Sequence, residues 1–255
     1  MKKIKTFSAA ILIIGNEILS GKTQDKNIKF ISERCNFAGI RLKEVRIVED
    51  VKNIIIKNIR LLSKNFDHVF TTGGIGPTHD DITAESVAKA FGKKLILNKK
   101  ALTLLKNYYH KSNINLNESR LKMAYIPSNA FLIKNSISAA PGFRVKNVWV
   151  MAGVPKIMQA MFLEGIEPYI LKGTPIYSEN IKVLVPEGEI AKILENIQTQ
   201  YSDIDIGSYP FFRPPEIGTT IICRGANKKS VKQSIKLLCK TLCAAKIQFL
   251  LEGKQ

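Results

Sequence analysis

The residues best suited to chemistry lie in one segment, TGGIGPTHDDIT, which occupies Thr72–Thr83 between a strand-like and a helix-like stretch. Its three glycines let the backbone turn sharply and bring amide N–H groups close to a ligand. The following helix adds unpaired N–H groups and a positive dipole end, which favour a phosphate. Asp80 and Asp81 place two carboxylates beside this anion site, and Mg²⁺ commonly binds one or two carboxylates together with phosphate oxygens. The segment therefore predicts a site for a phosphorylated ligand and a divalent cation.

The same segment also allows a purely structural interpretation. Thr78 and Asp81 have the spacing of a helix-capping box, in which case the glycines would only shape a loop. We favour the functional interpretation because three glycines, a proline and two aspartates are packed into so short a stretch. The segment is not a Walker A loop, since no GK[ST] follows the glycines.

Acidic residues after the first and second predicted strands are further candidates. Glu17 could act as a general base or as a second metal contact, or it could be a surface carboxylate that caps the next segment. Asp50 could contact the ligand or be a surface acid. Asp25 could touch the ligand, although capping of a helix explains it at least as well.

Four stretches have the pattern of strands, and helical stretches separate them. Ser8–Ile14 is a continuous apolar run, as expected of a strand that is buried on both faces. Leu42–Val48 alternates between apolar and polar residues, and His68–Thr72 and Val148–Met151 are short buried strands. This order predicts a mostly parallel sheet in an α/β/α arrangement, in which ligands bind at the carboxyl ends of the strands.

Helical periodicity and capping residues predict the helices of the same region, with Asn98 and Asn117 as N-caps. The predicted helices are residues 28–38, Val51–Leu62, Thr83–Phe91, Asn98–Lys111, Asn117–Tyr125 and Pro155–Leu171.

The last third of the chain, after a linker at Lys172–Pro175, has a different order of predicted strands and helices. The order of its elements is β-α-β-β-α-β, as in a ferredoxin-like split motif, with a turn at Arg213–Glu216. We therefore predict two domains, residues 1–172 and residues 175–255, and expect the second to be a packing or dimerisation module. Its predicted elements are Ile176–Val185, Glu187–Gln200, Ile204–Phe211, Gly218–Cys223, Lys228–Ala244 and Lys246–Leu251.

The composition argues against several other classes of protein. Lys and Arg number 39 against 21 Asp and Glu, a formal charge of +18, but the lysines are scattered and no nucleic-acid-binding motif is present. We expect this charge to steer a phosphorylated small molecule, with no nucleic-acid partner. Apolar runs such as Ala9–Ile14 fall far short of the ~20 residues that span a bilayer. Met1–Lys5 is basic, but no cleavage site follows it, so we expect a cytoplasmic protein without a membrane partner.

Four motifs together resemble a known family. They are the Thr72–Thr83 segment, Gly15–Gly21 (GNEILSG), Ala140–Phe143 (APGF) and Gly153–Pro155 (GVP), and they occur in the order and at the spacing of the MoaB/Mog molybdopterin-binding domain. The chain more closely resembles the N-terminal part of the competence/damage-inducible protein A (CinA) family, over residues 8–171, and its tail is similar to that family's middle region.

This resemblance implies a three-layer α/β/α domain, a divalent metal (Mg²⁺, Mn²⁺ or Co²⁺) and a ligand that carries phosphate or pyrophosphate. CinA-type domains are associated with ADP-ribose pyrophosphatase activity, and Mog-type domains with molybdopterin adenylylation. Molybdopterin is therefore an alternative ligand, and a non-catalytic binding protein of the same fold is a third possibility. Family habit further implies a homo-oligomer, either a dimer or a trimer.

Departures from the family pattern favour the CinA branch. Asp80 stands where Mog enzymes usually have arginine, Asp81 matches the acidic residue shared by both branches, and Asp50 matches another Mog acidic position. Asn16 replaces an aspartate that is common in relatives, which weakens any metal contact there. Met151–Gly153 replaces the usual Leu-Pro-Gly. The chain stops at Gln255 without the amidohydrolase domain of full-length CinA proteins, so we do not assign that activity.

The predicted site combines the residue pattern with this resemblance. We expect Asp80 and Asp81 to hold the metal and, with Glu17, to serve in catalysis. The residues predicted to bind the ligand are Gly73, Gly74, Gly76, Thr78, Asp50, Gly142 and Gly153.

Overall fold

The computed structural model describes residues 6–214 and 216–251, which divide into two compact units, residues 6–173 and residues 174–251. Pro215 of the predicted turn, the basic segment Met1–Lys5 and the last four residues lie outside the described residues. Within the described ranges, no helix is both long enough and apolar enough to cross a membrane.

The first unit contains a six-stranded mixed sheet. Its strands are β1 (Phe7–Ile14), β2 (Ile40–Val48), β3 (His68–Thr72), β6 (Phe131–Ile133), β7 (Gly142–Val145) and β8 (Val148–Met151), while β4 (Leu95–Leu97) and β5 (Tyr125–Pro127) form a separate antiparallel pair. The strand order is β2-β1-β3-β8-β7-β6. The first four strands are parallel, and β7 and β6 are added antiparallel to β8.

Helices cover both faces of this sheet. They are α1 (Asn16–Leu19), α2 (Asn27–Phe37), α3 (Lys52–Asn65), α4 (Thr83–Ala90), α5 (Lys99–Lys111), α6 (Glu118–Leu121) and α7 (Pro155–Gly165). Because successive side chains of a strand point to opposite faces, Leu12 joins a core with α3 and α4, whereas Ile11 joins a core with α2 and α7. The predicted three-layer α/β/α fold is confirmed.

Two predicted helices are shorter than expected. The helix predicted over Asn117–Tyr125 is wrong beyond Leu121, because a 3₁₀ turn at Lys122–Ala124 leads into β5, where Tyr125 pairs with Leu97. Pro127 restrains the preceding residue to extended conformations and so favours a strand at this point.

The helix that begins at Pro155 ends at Gly165 and does not reach Leu171. A Cβ at Gly165 would lie 2.6 Å from Ile133, so the helix ends where it packs directly against β6. After the helix, the backbone N–H groups of Tyr169 and Ile170 donate to the carbonyl of Ile166 and form a further turn. The side chains of Ile166 and Ile170 are both buried, which explains why the apolar pattern resembled that of a longer helix.

The second unit is a four-stranded antiparallel sheet with two helices. It contains β9 (Tyr177–Val183), α8 (Glu187–Gln200), β10 (Ile204–Arg213), β11 (Glu216–Gly225), α9 (Lys228–Ala244) and β12 (Phe249–Leu251). The strand order β10-β11-β9-β12 is that of the ferredoxin-like motif predicted from the order of the elements. Apolar side chains of both helices pack on the sheet around Ile181 and Ile221.

Candidate functional site

A cleft of about 540 Å³ opens where the four parallel strands end. Parallel strands carry the loops that follow their carboxyl ends to the same edge of a sheet, and ligands commonly bind there. Four carboxylates from three of these loops line the cleft: Glu17, Asp50, Asp80 and Asp81. The structure thus brings together four of the five acidic candidates named from the sequence, whereas Asp25 accepts the Ile28 amide at 2.8 Å at the start of α2 and does not line this cleft.

The floor of the cleft includes the glycine turn after β3. Gly73 has φ +98°, and a Cβ there would lie 2.0 Å from the carbonyl oxygen of Ile14. Gly74 has φ +68°, and its Cβ would lie 2.1 Å from Oγ1 of Thr83. Glycine is therefore required at both positions by backbone conformation and by space.

Thr83, the first residue of α4, fixes the shape of this turn. Its hydroxyl donates to the carbonyl of Gly73 at 3.0 Å, and its amide donates to the carbonyl of Gly74 at 2.9 Å. The sequence interpretation missed this role, although a threonine at a helix start is a signal for such a contact.

Amides of the same turn remain available to a ligand. Within the described parts of the chain, the N–H groups of Gly74, Ile75 and Gly76 have no hydrogen-bond acceptor, and all three residues line the cleft. Consecutive unpaired amides beside a helix N-terminus form an arrangement that binds anions.

Asp81 bonds to Thr78 as the capping interpretation predicted, but the two residues do not cap a helix. Its Oδ2 accepts the Thr78 amide at 2.8 Å, as in a capping box, and also the Thr78 hydroxyl at 2.5 Å, which a capping box would use as an acceptor. These residues form a turn ahead of α4, which begins only at Thr83, and Asp81 also lines the cleft. Thr78 itself is exposed and is not part of the cleft wall, so the structure places it behind Asp81 and not against a ligand.

Asp80 is exposed at the mouth of the cleft. The nearby Thr78 side chain, with smaller effects from the Asp80 amide and from His79 and Lys122, lowers the pKa of the Asp80 carboxyl. The anionic form is therefore stabilised, as a cation-binding carboxylate requires.

Glu17 and Asp50 approach the cleft from the other side. Asp50 accepts the backbone N–H of Asn16 through Oδ2 at 2.9 Å, so it caps the short helix α1 while lining the cleft. The Glu17 carboxylate lies against Gly15, where a Cβ would come within 2.6 Å of either carboxylate oxygen. Gly15 therefore leaves room for this carboxylate.

The donor set fits a hard cation, provided that the ligand contributes further oxygens. Among the described residues, no three Asp, Glu, His or Cys side chains form a ready metal site. The available donors are oxygens. They include Oγ1 of Thr72 and Oδ1 of Asn27, which are buried and have no hydrogen-bond partner among the described residues. Both residues line a cavity of about 50 Å³ that shares Gly73 and Gly153 with the cleft. Mg²⁺ prefers oxygen donors and completes its shell with water and phosphate.

The two remaining predicted glycines lie in different environments. Gly153 lines the cleft, and its carbonyl accepts the Asn27 side-chain amide at 2.8 Å. Gly142 is buried in β7, where a Cβ would lie 2.4 Å from the carbonyl oxygen of Val150. Close packing of β7 on β8 accounts for Gly142, and the ligand contact predicted for it has no counterpart in the cleft lining.

A second cavity of about 210 Å³ adjoins the glycine turn and shares Gly76 and Asp81 with the cleft. Its walls are largely apolar, with Met123 and Phe143 among them, and Lys122 lies at its edge. The Lys122 ammonium donates to the carbonyl of Thr78, which connects the segment after α6 to the turn that carries the aspartates.

The small-residue loop that begins at Ser138 could bring its backbone against a ligand or be a simple tight turn, and sequence interpretation missed Asn135, which lines the cleft together with Ser138. The Asn-x-x-Ser spacing is a signal for a side-chain-stabilised turn, and it could have drawn attention to this loop.

Comparisons with known proteins agree with this architecture. Residues 10–172 match the family model described as a probable molybdopterin binding domain, and residues 175–250 match the middle domain of FAD synthase. A protein from Archaeoglobus fulgidus is 35% identical over 89% of this chain and 94% of its own length. A CinA-like protein from Kosmotoga olearia is 33% identical over 87% of this chain, which spans 55% of that longer protein. The crystal structure of CinA from Thermoplasma acidophilum, whose function is unknown, matches with a TM-score of 0.57 at 34% identity, over 62% of this chain and 95% of that one.

Proposed function

Because the chain belongs to the molybdopterin-binding-domain family, in its CinA-like branch, we propose that it is a divalent-metal-dependent pyrophosphatase. The proposed substrate is ADP-ribose or a related nucleotide diphosphate. The cleft volume of about 540 Å³ supports a ligand of this size, since small-molecule sites commonly measure ~300–1,000 Å³.

One observation carries the proposal: unpaired amides and four carboxylates share a cleft whose described lining has no Lys, Arg or His. The amides attract an anion, whereas the carboxylates would repel it. A pyrophosphate can occupy such a cleft only if cations lie between its oxygens and the carboxylates. This requirement supports a metal-dependent reaction on a phosphorylated substrate.

The residues of the chain have distinct roles in the proposed hydrolysis. The amides of Gly74, Ile75 and Gly76 bind one phosphate, while Asp80 and Asp81 hold the metal. The metal would neutralise charge on the phosphate oxygens and activate water. A water oxygen bonds to one phosphorus, and the bridging P–O bond breaks, leaving its electron pair on the departing phosphate. The Glu17 carboxylate accepts the proton of the attacking water.

The test is release of AMP from ADP-ribose in the presence of Mg²⁺, Mn²⁺ or Co²⁺, with product identification. We expect chelation of the metal to stop turnover and its replacement to restore it. Asp81→Ala should abolish AMP release, and Asp203→Ala, which removes an exposed acid of the second unit, should leave it unchanged. Full turnover by Asp81→Ala would overturn the proposal.

A pterin ligand is the second candidate, and the largely apolar cavity of about 210 Å³ beside the glycine turn favours it. A flat heterocycle could lie there while its phosphate occupies the turn. Copurification of molybdopterin, or ATP consumption that depends on molybdopterin, would favour this function over the pyrophosphatase. Calorimetric affinity for ADP-ribose or molybdopterin without turnover under any metal would instead indicate a binding protein.

A further inference from the structure

The loop of residues 135–140, which contributes to the lining of the cleft, is organised around one buried side chain. Asn135 is 8% exposed, and its amide makes four hydrogen bonds. Oδ1 accepts the backbone N–H groups of Ile137 at 3.0 Å and Ser138 at 3.2 Å. Nδ2 donates to Oγ of Ser138 and to the carbonyl of Ala140, each at 2.8 Å.

These bonds fix the orientation of the Asn135 amide. Backbone N–H groups can only donate and a backbone carbonyl can only accept, so the oxygen and nitrogen positions cannot be exchanged. The bond from Nδ2 to Ser138 therefore uses Oγ as an acceptor, and the hydroxyl hydrogen of Ser138 remains to be donated elsewhere.

Nothing in the described parts of the chain accepts that hydrogen. Ser138 is half-buried and lines the cleft together with Ala140. Between them, Ala139 has φ +58°, a conformation that residues with a side chain rarely adopt and that the Asn135 bonds hold in place. The loop is thus preorganised, and a hydrogen-bond donor without a protein acceptor lies on the cleft wall.

We infer that Ser138 donates a hydrogen bond to a phosphate oxygen of the ligand and that Asn135 is the positioning residue that orients the Ser138 hydroxyl. An acceptor of this bond must carry lone pairs, and the amides of the glycine turn already suit the same cleft to an anion. Ser138 and the turn therefore both contact the phosphate groups from the lining of this cleft. This inference rests on the proposed function, since it requires a phosphorylated ligand in the cleft.

The experiment measures binding of inorganic pyrophosphate and ADP-ribose by calorimetry, with Mg²⁺ present, in wild type and in Ser138→Ala. A hydrogen bond to a charged group contributes enough that its loss should weaken binding about ten- to hundredfold. Ser136→Ala is the matched control, because the Ser136 hydroxyl bonds to Glu164 at 2.5 Å and Ser136 does not line the cleft. It should bind both probes as wild type does.

The role of Asn135 is tested by a double-mutant cycle. If Asn135 acts through Ser138, Asn135→Ala should weaken pyrophosphate binding in wild type but have little further effect in Ser138→Ala. Equal losses in both backgrounds would overturn the positioning role. Should Asn135→Ala fail to fold, Ser138→Ala remains decisive for the phosphate contact.

The outcomes separate this inference from the proposed function. If wild type binds pyrophosphate and Ser138→Ala binds it equally well, the inference fails and the proposed function stands. If wild type binds neither probe, and replacing Mg²⁺ by Mn²⁺ or Co²⁺ in the same measurement does not restore binding, both fail.

Discussion

The carboxylate of Asp81 covers the Cα of Gly76, where a Cβ would lie 2.7 Å from Oδ2 and 3.1 Å from Oδ1. A side chain at residue 76 must therefore displace the carboxylate. Gly76 has no positive φ, so alanine is not strained there by backbone conformation.

We accordingly expect Gly76→Ala to lower AMP release from ADP-ribose roughly ten- to hundredfold, because small misplacements of catalytic groups are costly. Its melting temperature should stay near that of wild type. Unchanged activity of Gly76→Ala would show that the position of this carboxylate is not critical.

Gly73 should be far less tolerant of substitution than another glycine with positive φ. Gly92 has φ +62° with open space around its Cα, so Gly92→Ala should cost about 1–2 kcal/mol of unfolding free energy from conformation alone. Gly73→Ala adds a contact of 2.0 Å with the Ile14 carbonyl, and we expect a clearly larger loss. Denaturant unfolding of both variants checks this, and equal losses would contradict it.

Removal of the Thr78 hydroxyl should change the ionisation of Asp80. The Thr78 side chain is the largest cause of the lowered Asp80 pKa, so Thr78→Val should raise that pKa toward its usual value of 3.8. An NMR titration of the Asp80 carboxyl measures the shift directly. No change in the variant would mean that the backbone amide and the nearby cations hold the pKa down.

His68 should make folding sensitive to acid. It is buried, its Nε2 donates to the carbonyl of Leu171 at 3.3 Å, and burial lowers its pKa from the usual 6.5. The unfolded chain therefore binds a proton at His68 more readily than the folded chain does. The contribution of neutral His68 to the free energy of unfolding is complete above pH 6.5 and is lost as the pH falls below that value.

Denaturant unfolding as a function of pH tests this expectation. His68→Gln should flatten the fall in unfolding free energy just below pH 6.5, and His110→Gln, which changes an exposed histidine, should not. If His68→Gln keeps the full slope, another group is responsible.

Prediction from sequence succeeded for those strands and helices whose formation depends on residue type and on the spacing of apolar residues. The apolar run at Ser8–Ile14 predicted a strand buried on both faces and lies in β1, and Asn98 caps α5 by accepting the Ala101 amide, as expected. Prediction failed for Asn117–Tyr125, where pairing of Tyr125 with Leu97 outweighs helical propensity. A contact between residues so far apart in the chain leaves no periodic signal.

The residues of the candidate site likewise fall into those that the sequence identifies and those that only the tertiary structure brings together. By itself, the sequence determined that glycines and two aspartates follow a buried strand, because backbone freedom and carboxylate chemistry depend on residue type. Only the tertiary structure decided that Glu17 and Asp50 line the same cleft, that Gly142 packs between strands, and that the Ser138 side chain joins them there. These facts depend on the order in which strands pair, and strand order follows from the packing of the whole sheet.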